Sequence, residues 1–193
     1  MKIILLRHGK PEVDLMSLLK KRCSSSYLGR LVTAYEFAGL NEDDEVSKEV
    51  IHLAATCNIM VHSDLPRSVE SVKALGVNNI HHCSDAIFRE PNLPYANWKY
   101  PKLPLLIWFL LFRVMWHFGY SNNAESIKKA RKNAATGARI LREYSKIYGT
   151  VILVGHGVVN KFIAKELLSA GWAGPKSPGN EYWSYGIYTN NDT

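Results

Sequence analysis

The segment IILLRHGK, Ile3–Lys10, starts with four consecutive apolar residues and then ends abruptly on a guanidinium and an imidazole. A short apolar run that stops at a glycine is typical of a β-strand buried on both faces. Placing Arg7 and His8 side by side at the end of a buried strand is unfavourable unless an anion binds there. The segment therefore predicts a strand that leads directly into a functional site.

Two later segments have the same form. Residues 58–67, NIMVHSDLPR, contain a second apolar strand, which is followed by Ser63 and, a turn later, by Arg67. Residues 150–157, TVILVGHG, contain a third strand that ends on His156 between two glycines. Ligands of parallel sheets bind beyond the carboxyl ends of the strands, so these side chains should meet if the three strands are neighbours.

Helical patterns alternate with these strands. The predicted helices cover most of 14–38, then 66–75, 103–118, 124–149 and 158–171, and further short strands are predicted within 78–90 and over 182–189. This alternation predicts an α/β protein, a three-layer fold with a mainly parallel central sheet flanked by helices. With 193 residues, the chain is expected to form a single domain, 1–193.

The three strand ends together predict a phosphate pocket. Four side chains should converge at one edge of the sheet, beside helix N-termini: Arg7, His8, Arg67 and His156. Two planar guanidiniums match the oxygens of a phosphoryl group, and helix N-termini favour an anion. Glycines such as Gly157 let backbone N–H groups approach the ligand closely.

The composition narrows the class of partner. The formal net charge of +7 favours anionic partners, but the basic residues are dispersed, so a small phosphorylated substrate is expected and nucleic acid is not. The three cysteines show no CxxC spacing, which argues against a disulfide framework or a cysteine zinc site. Together with an N-terminal apolar run too short for a signal-peptide core, this predicts a cytoplasmic protein.

One segment, Leu103–Tyr120, is unusually apolar. Its uncharged run stops at Arg113, short of the roughly 20 residues that span a bilayer. We expect a buried or half-buried helix over 103–118 and no transmembrane segment. Two alternatives remain open for its outer face: an interfacial membrane helix, and contact with a second subunit in a homodimer.

The motifs LLRHG, SDLPRSVES and VGHG, in this order and each after an apolar strand, resemble the histidine phosphatase superfamily, which has the phosphoglycerate-mutase-like fold. The resemblance spans nearly the whole chain. It includes FREPNLP, residues 88–94, and a pattern of tryptophans, Arg113, Gly119 and Glu125 between Trp108 and Ser126.

The resemblance implies a covalent mechanism without a metal or other cofactor. His8 matches the nucleophile, whose neutral ring nitrogen attacks phosphorus to form a phosphohistidine that water then hydrolyses. Arg7, Arg67 and His156 match the phosphate pocket that stabilises the charge on the transferred group. This agrees with the chemistry of phosphoryl transfer, which needs positioning and charge neutralisation above all.

The leaving oxygen needs a proton, and Glu90 matches the general acid of the superfamily. The competing interpretation of Glu90 is a structural one, in which its carboxylate pairs with Arg89 or caps a turn. Glu12 and Asp64 are the other carboxylates expected near the pocket, so either is an alternative acid.

The substrate side departs from the pattern of the superfamily. Lys10 follows the RHG motif where many members have a polar or acidic residue, and it is a candidate ligand for a second anionic group of the substrate. The segment 91–123 is predicted to form a small helical cap over the strand ends. Its Trp98, Trp108 and Trp116 could line a substrate wall, although such a stripe is more often core.

These features favour a phosphatase that hydrolyses a phosphomonoester. Two alternatives stay open at this point. One is phosphoryl transfer of the phosphoglycerate-mutase type, and the other is a non-catalytic phosphate-binding protein of the same fold.

Overall fold

The computed structural model describes residues 1–15 and 17–191. The strands are β1 (Lys2–Arg7), β2 (Arg22–Cys23), β3 (Ile59–His62), β4 (His81–Ser84), β5 (Leu103–Pro104), β6 (Thr150–Gly155) and β7 (Tyr185–Thr189). The helices are α1 (Ser25–Phe37), α2 (Lys48–Ala55), α3 (Pro66–Leu75), α4 (Leu105–His117), α5 (Ile127–Tyr148) and α6 (Gly157–Ser169). A 3₁₀ turn, Ala86–Phe88, follows β4.

Five strands form one sheet in the order β4-β3-β6-β1-β7. Strand β6 is parallel to both of its neighbours, with Val151 opposite Ile3 on one side and Ile59 on the other. Only the edge strand β7 runs antiparallel within this sheet. The predicted α/β class with a mainly parallel sheet is confirmed, and the three strands that carry the motifs are direct neighbours.

The strands are buried on both faces, as their continuous apolar runs predict. Alternate residues of β1, β3 and β6 pack into two clusters on opposite sides of the sheet. One cluster contains Ile3, Leu5, Val61 and Leu153 with residues of α5 and α6, and the other contains Ile4, Leu6, Met60 and Val154 with residues of α2 and α3. This two-sided packing holds the carboxyl ends of the three strands in a fixed relation.

A third apolar cluster joins the predicted cap segment to α1 and β2. Its buried members are Cys23, Leu28, Leu93, Ala96, Leu105, Trp108 and Phe112. Short β2 pairs with β5 and fixes the start of α4. Helix α4 is half-buried, as predicted, and its Trp108 and Trp116 are fully covered and belong to the core. Trp98, which precedes the helix, is 46% exposed.

The sequence patterns fail in two regions. Among the described residues of 14–38, α1 is the only helix. It begins after the Ser24 cap, because Arg22–Cys23 instead pairs as a strand with β5. Helix α2 lies in a stretch for which no element was predicted. It is short, it is capped by Ser47, and only Val50 and Ala54 are buried, so its apolar pattern is weak.

Helix α4 keeps to the length expected from the sequence. Among the residues that the structure describes, no helix combines the length and the hydropathy needed to cross a membrane.

Candidate active site

The ends of β1 and β6 bring two histidines together. The His8 N–H donates to the Gly155 carbonyl at 3.0 Å, which ties the residue after β1 to the last residue of β6. The rings of His8 and His156 lie with their centroids 4.9 Å apart. Both side chains are almost completely buried. One bound phosphate can therefore contact both rings.

The tautomer of His8 follows from its backbone contact. Its Nδ1 lies 2.6 Å from the Gly9 carbonyl oxygen. Because a carbonyl can only accept, Nδ1 carries the hydrogen and Nε2 keeps its lone pair. Burial lowers the pKa of His8 to about 3, and the Arg67 and Arg7 charges act in the same direction. The ring is neutral near pH 7, and its Nε2 lone pair is chemically able to act as a nucleophile.

Gly9 allows this arrangement because a larger residue would not fit. A Cβ at this position would lie 2.5 Å from both Leu40 and Trp183 side-chain atoms. The Gly9 N–H donates to Ser71 Oγ at 2.9 Å, so helix α3 holds the loop that orients His8. The glycine of the RHG motif is thus needed for close packing directly behind His8.

His156 is held by the end of β3. Its Nε2 lies 2.6 Å from Ser63 Oγ, which also accepts the Leu65 N–H at 3.2 Å. The Ser63 hydroxyl can donate to Nε2 while its oxygen accepts the Leu65 N–H, and in that tautomer Nδ1 carries the hydrogen. Burial lowers the pKa of His156 well below its ordinary value, and the charges of both neighbouring arginines add to the effect.

The two arginines of the motifs are held in similar ways. Arg67 is 2% exposed, and its Nη1 donates to the carbonyls of Tyr35 and Glu36 at 2.9 and 3.3 Å. Its guanidinium lies 4.6 Å from the Tyr35 ring centroid. Arg7 donates to the Asn180 carbonyl, and its guanidinium lies 4.4 Å from the Tyr182 ring centroid. Each cation is thus fixed by a carbonyl and by an aromatic face.

Several buried donors of this cluster remain unused. Arg7 Nε, Arg67 Nε and His156 Nδ1 have no hydrogen-bond partner within the described ranges. Buried donors without partners are rare and costly, and three of them around one neutral histidine match the oxygens of a bound anion. Among the residues described, no three histidine, cysteine, aspartate or glutamate side chains are grouped closely enough to hold a metal ion.

Glu90 lies at the start of α6, next to this cluster. Its Oε1 and Oε2 accept the Val158 N–H at 3.0 and 3.1 Å, and Oε2 also accepts the Val159 N–H at 3.2 Å. The carboxylate therefore caps a helix rather than pairing with Arg89. It still lies at the N-terminus that would also attract a phosphate.

The alternative acids are placed less favourably. Both carboxylate oxygens of Asp64 accept hydrogen bonds from Arg89 at 2.6 Å. This interaction lowers the pKa of Asp64, so the group is ionised at neutral pH and is a poor proton donor. The Glu12 side chain is exposed and lies beside Gly39.

Lys10 and Gly157, the other two residues predicted to bind substrate, lie in different parts of the structure. The Lys10 side chain is 42% exposed, and its ammonium lies 3.7 Å from the Asp14 carboxylate, on the outside of the molecule. Gly157 begins α6, and a Cβ at this position would lie 3.8 Å from the Arg7 guanidinium. A role for either residue in substrate binding stays a prediction.

The sequence reasoning did not identify Arg113 as a site residue. It lies on the inner side of α4, where it lines a cavity of about 100 Å³ together with Arg67 and Glu90. Its Nη1 is buried without a partner among the described residues, and its guanidinium lies 5.0 Å from the Trp116 ring centroid. Burial lowers the pKa of Arg113, and the Glu90 carboxylate partly opposes this.

One signal in the sequence points to Arg113. It is the single charged residue in an apolar helix, and it is four residues after Phe109 and three before Trp116, on the face that turns inward. No comparable signal marks Tyr35 and Tyr182, because each reaches its arginine only through tertiary packing.

Comparison with known proteins gives similarity at the level of structure. No protein-family model matches the sequence, and no curated protein sequence matches it. A solved structure from an open reading frame of Mycobacterium tuberculosis superposes with a TM-score of 0.65 at 14% identity, covering 99% of this chain and 92% of that one.

Two further solved structures are similar enzymes. A mycobacterial glucosyl-3-phosphoglycerate phosphatase in complex with VO₃ has a TM-score of 0.59 at 20% identity, over 96% of this chain and 90% of that one. A phosphoglycerate mutase from Bacillus anthracis has a TM-score of 0.59 at 17% identity, over 98% of this chain and 88% of that one. The chain thus has the phosphoglycerate-mutase-like fold that the sequence motifs predict.

The buried neutral histidines predict a specific loss of stability in acid. His8 stays neutral in the folded chain down to a pKa of about 3, whereas the unfolded chain takes up a proton near its ordinary value of 6.5. Stability contributed by the neutral ring is therefore lost as the pH falls from about 6.5 towards 3. We expect the free energy of unfolding, measured with urea, to fall between pH 7 and pH 4 by ~3 kcal/mol less in His8→Asn than in the unsubstituted chain.

His52→Asn is the matched control, because His52 is exposed on α2. It should leave the pH dependence unchanged. Equal pH dependence of unfolding in the His8 variant and the unsubstituted chain would contradict a neutral buried His8.

Proposed function

We propose that this protein is a phosphatase that hydrolyses a phosphomonoester through a phosphohistidine on His8. The observation that carries the proposal is the neutral His8 ring among buried nitrogens that have no partner in the described part of the chain: Arg7 Nε, Arg67 Nε and His156 Nδ1. A neutral nucleophile within a cationic, desolvated pocket is what phosphoryl transfer requires. The similarity of the fold to a phosphatase and a mutase is consistent with it.

The first chemical step uses the lone pair of His8 Nε2. This nitrogen attacks phosphorus while the bond from phosphorus to the leaving oxygen breaks. The Nδ1 hydrogen stays bonded to the Gly9 carbonyl, which stabilises the positive charge that develops on the ring. Arg7 and Arg67 neutralise the oxygens of the transferred group.

The second step regenerates the enzyme. A water oxygen attacks phosphorus and loses a proton to Glu90, which is ionised after it has protonated the leaving oxygen. The bond to Nε2 breaks, and the electron pair returns to the ring nitrogen. Inorganic phosphate then leaves. In a mutase, a second hydroxyl of the substrate would accept the phosphoryl group instead of water, so the released product separates the two functions.

Glu90 is proposed as the acid that protonates the leaving oxygen. Its carboxylate lies at the N-terminus of α6, the helix that begins directly after His156. Glu90 also lines the same cavity as Arg67. The other predicted donors are less suitable, since Asp64 is held ionised by Arg89 and Glu12 is exposed. We further propose that the segment 91–123 acts as a cap, because α4 closes one side of the Glu90 cavity.

The proposal predicts metal-independent hydrolysis of p-nitrophenyl phosphate. Activity should persist in excess EDTA with stoichiometric release of inorganic phosphate. His8→Ala should lower kcat by on the order of 10³-fold or more, since the nucleophile is removed. Rapid acid-free quenching should trap an acid-labile, alkali-stable phosphoryl group on the unsubstituted chain.

His52→Ala should retain full activity in the same assay. A protein that binds phosphate but shows no turnover would be a non-catalytic member of the fold. Transfer of phosphate within the substrate, without its release, would instead identify a mutase.

Substituting Glu90 separates a proton donor from a structural carboxylate. Glu90→Gln keeps an oxygen that can accept the Val158 N–H but has no proton to transfer. An alkyl alkoxide needs a proton in order to leave, whereas p-nitrophenolate does not. The rate of enzyme phosphorylation should fall by on the order of 10²-fold with an alkyl phosphate and much less with p-nitrophenyl phosphate. Similar losses on both substrates would show that Glu90 only holds the start of α6.

Arg113 is proposed to recognise a second anionic group of the substrate, the task that the sequence suggested for Lys10. Arg113→Met keeps the apolar stem and removes the charge. The KM of phosphomonoesters with a carboxylate near the phosphate should rise about 10-fold, because a charge-assisted hydrogen bond is lost. The KM of p-nitrophenyl phosphate should be unchanged.

Arg131→Met is the control for Arg113, since Arg131 is exposed on α5 and lies over the Phe162 ring. It should affect neither substrate. An equal rise in KM for both substrates with Arg113→Met would argue against selective recognition.

A further inference from the structure

Helix α4 presents a continuous apolar stripe to solvent. The exposed residues of this stripe are Leu106, Ile107, Leu110, Leu111, Val114 and, at the helix end, Phe118. Their exposed fractions range from 37% for Leu111 to 88% for Phe118. Single exposed apolar residues are ordinary, but a contiguous patch of this kind marks an interaction surface.

The stripe follows the geometry of the helix. Leu106, Leu110, Val114 and Phe118 recur every four residues, so they form one face over roughly 18 Å of the axis. The opposite face carries the buried Trp108 and Trp116. Helix α4 is therefore apolar on both sides, and the described part of the chain covers only the inner one.

Basic side chains surround the start of this stripe. The N–H groups of Leu105 and Leu106 donate to the carbonyls of Lys21 and Leu19, which places residues 19–22 beside the first turn of α4. Five basic residues of this region are exposed: Lys20, Lys21, Arg22, Lys99 and Lys102. Arg22 also donates to the Lys102 carbonyl at 2.9 Å, which joins the two segments.

The two sequence segments that contain these basic residues, 15–35 and 91–124, contain no acidic residue. A second copy of this chain, placed on the stripe, would thus bring no acidic residue from these segments to pair with the basic ones. A partner with a dense negative charge and an apolar interior would satisfy both features.

Two exposed aromatic residues complete the surface. Trp98 is 46% exposed and Tyr100 is 76% exposed, both within the segment that leads into α4. The Trp98 ring also contacts Trp108 and Phe112, with centroids 6.3 and 6.1 Å away, so it sits at the border of the stripe and the cap core. Tryptophan and tyrosine are the residues enriched where a protein meets the headgroup level of a bilayer.

We propose that this surface docks on a bilayer that contains anionic lipids. Helix α4 lies parallel to the membrane plane with the apolar stripe inserted at the boundary of headgroups and acyl chains. Lys20, Lys21 and Arg22 lie at the level of the lipid phosphates. Because Phe109 and Arg113 of the same helix line the Glu90 cavity, docking holds this cavity close to the lipid interface.

The test is co-sedimentation of the full chain with vesicles of two compositions. We expect binding to vesicles of phosphatidylcholine with about 30% phosphatidylglycerol, an anionic lipid. Binding to vesicles of phosphatidylcholine alone should be weak. The double variant Leu110→Glu/Val114→Glu should lower the partition coefficient at least 10-fold, since it puts charge at the centre of the stripe. Ile147→Glu is the matched control, because Ile147 is also exposed but lies on α5, and it should bind normally.

The electrostatic part has its own test. Lys20→Gln/Lys21→Gln should lower binding to anionic vesicles by about five-fold per lysine, and added salt should reproduce the loss. Circular dichroism and thermal unfolding establish that each variant is folded. A further measurement needs no charged variant. Lipids with brominated acyl chains should quench the tryptophan fluorescence of the unsubstituted chain, and Trp98→Phe should remove most of this quenching.

Two results would overturn the proposal. Equal binding to both vesicle types would exclude recognition of anionic lipid. Failure to bind either type, with a dimer that dissociates in Leu110→Glu/Val114→Glu, would assign the stripe to a second copy of the chain. Neither result depends on phosphatase activity, so docking and catalysis can fail separately.

Discussion

The buried positive charge of Arg67 is the constraint on which the candidate site depends. A guanidinium taken out of water is strongly unfavourable unless other groups compensate it. Here two backbone carbonyls and the Tyr35 ring hold it, and its Nε is left without a partner among the described residues. The same charge, added to burial, keeps His8 and His156 neutral. Neutral imidazoles beside fixed cations can serve as the nucleophile and the donor that we propose, and the unpartnered nitrogens of the pocket favour an anion.

The sheet makes this arrangement rigid. Because β1 and β3 both pair with β6 and their side chains are buried on both faces, their ends cannot move independently. Each reactive group is then oriented by a backbone or hydroxyl contact rather than by another charge: His8 by the Gly9 carbonyl, and His156 by Ser63. The positions of the site residues therefore follow from the packing of the core.

This explains which parts could be predicted from the sequence. The three strand ends are local patterns in which polar residues follow a buried strand. Because the three strands are neighbours in the sheet, Arg7, His8, Arg67 and His156 lie close together as expected, and their roles stay predictions. Tyr182 reaches the site by tertiary packing of a loop, which no short pattern encodes. Arg113 is marked only as a lone charge in an apolar helix, and this signal does not place it beside Glu90. Lys10 shows the converse: it is next to the motif in sequence, but its side chain turns outward to Asp14. Proximity along the chain thus predicts the strand ends, whereas a role for Lys10 in substrate binding stays a prediction.

The capping role of Glu90 need not conflict with the acid role. The N-terminus of α6 stabilises one negative charge, and in this structure the carboxylate supplies it. A phosphate that binds His8 and Arg7 brings two further negative charges to the same helix end. The negative charge of a phosphate disfavours a second ionised group beside it, and a carboxyl beside the leaving oxygen must carry a proton in order to donate. In the proposed mechanism, arrival of the substrate would thus itself favour the acid role, and the contacts with the Val158 and Val159 N–H groups keep Glu90 at this helix end.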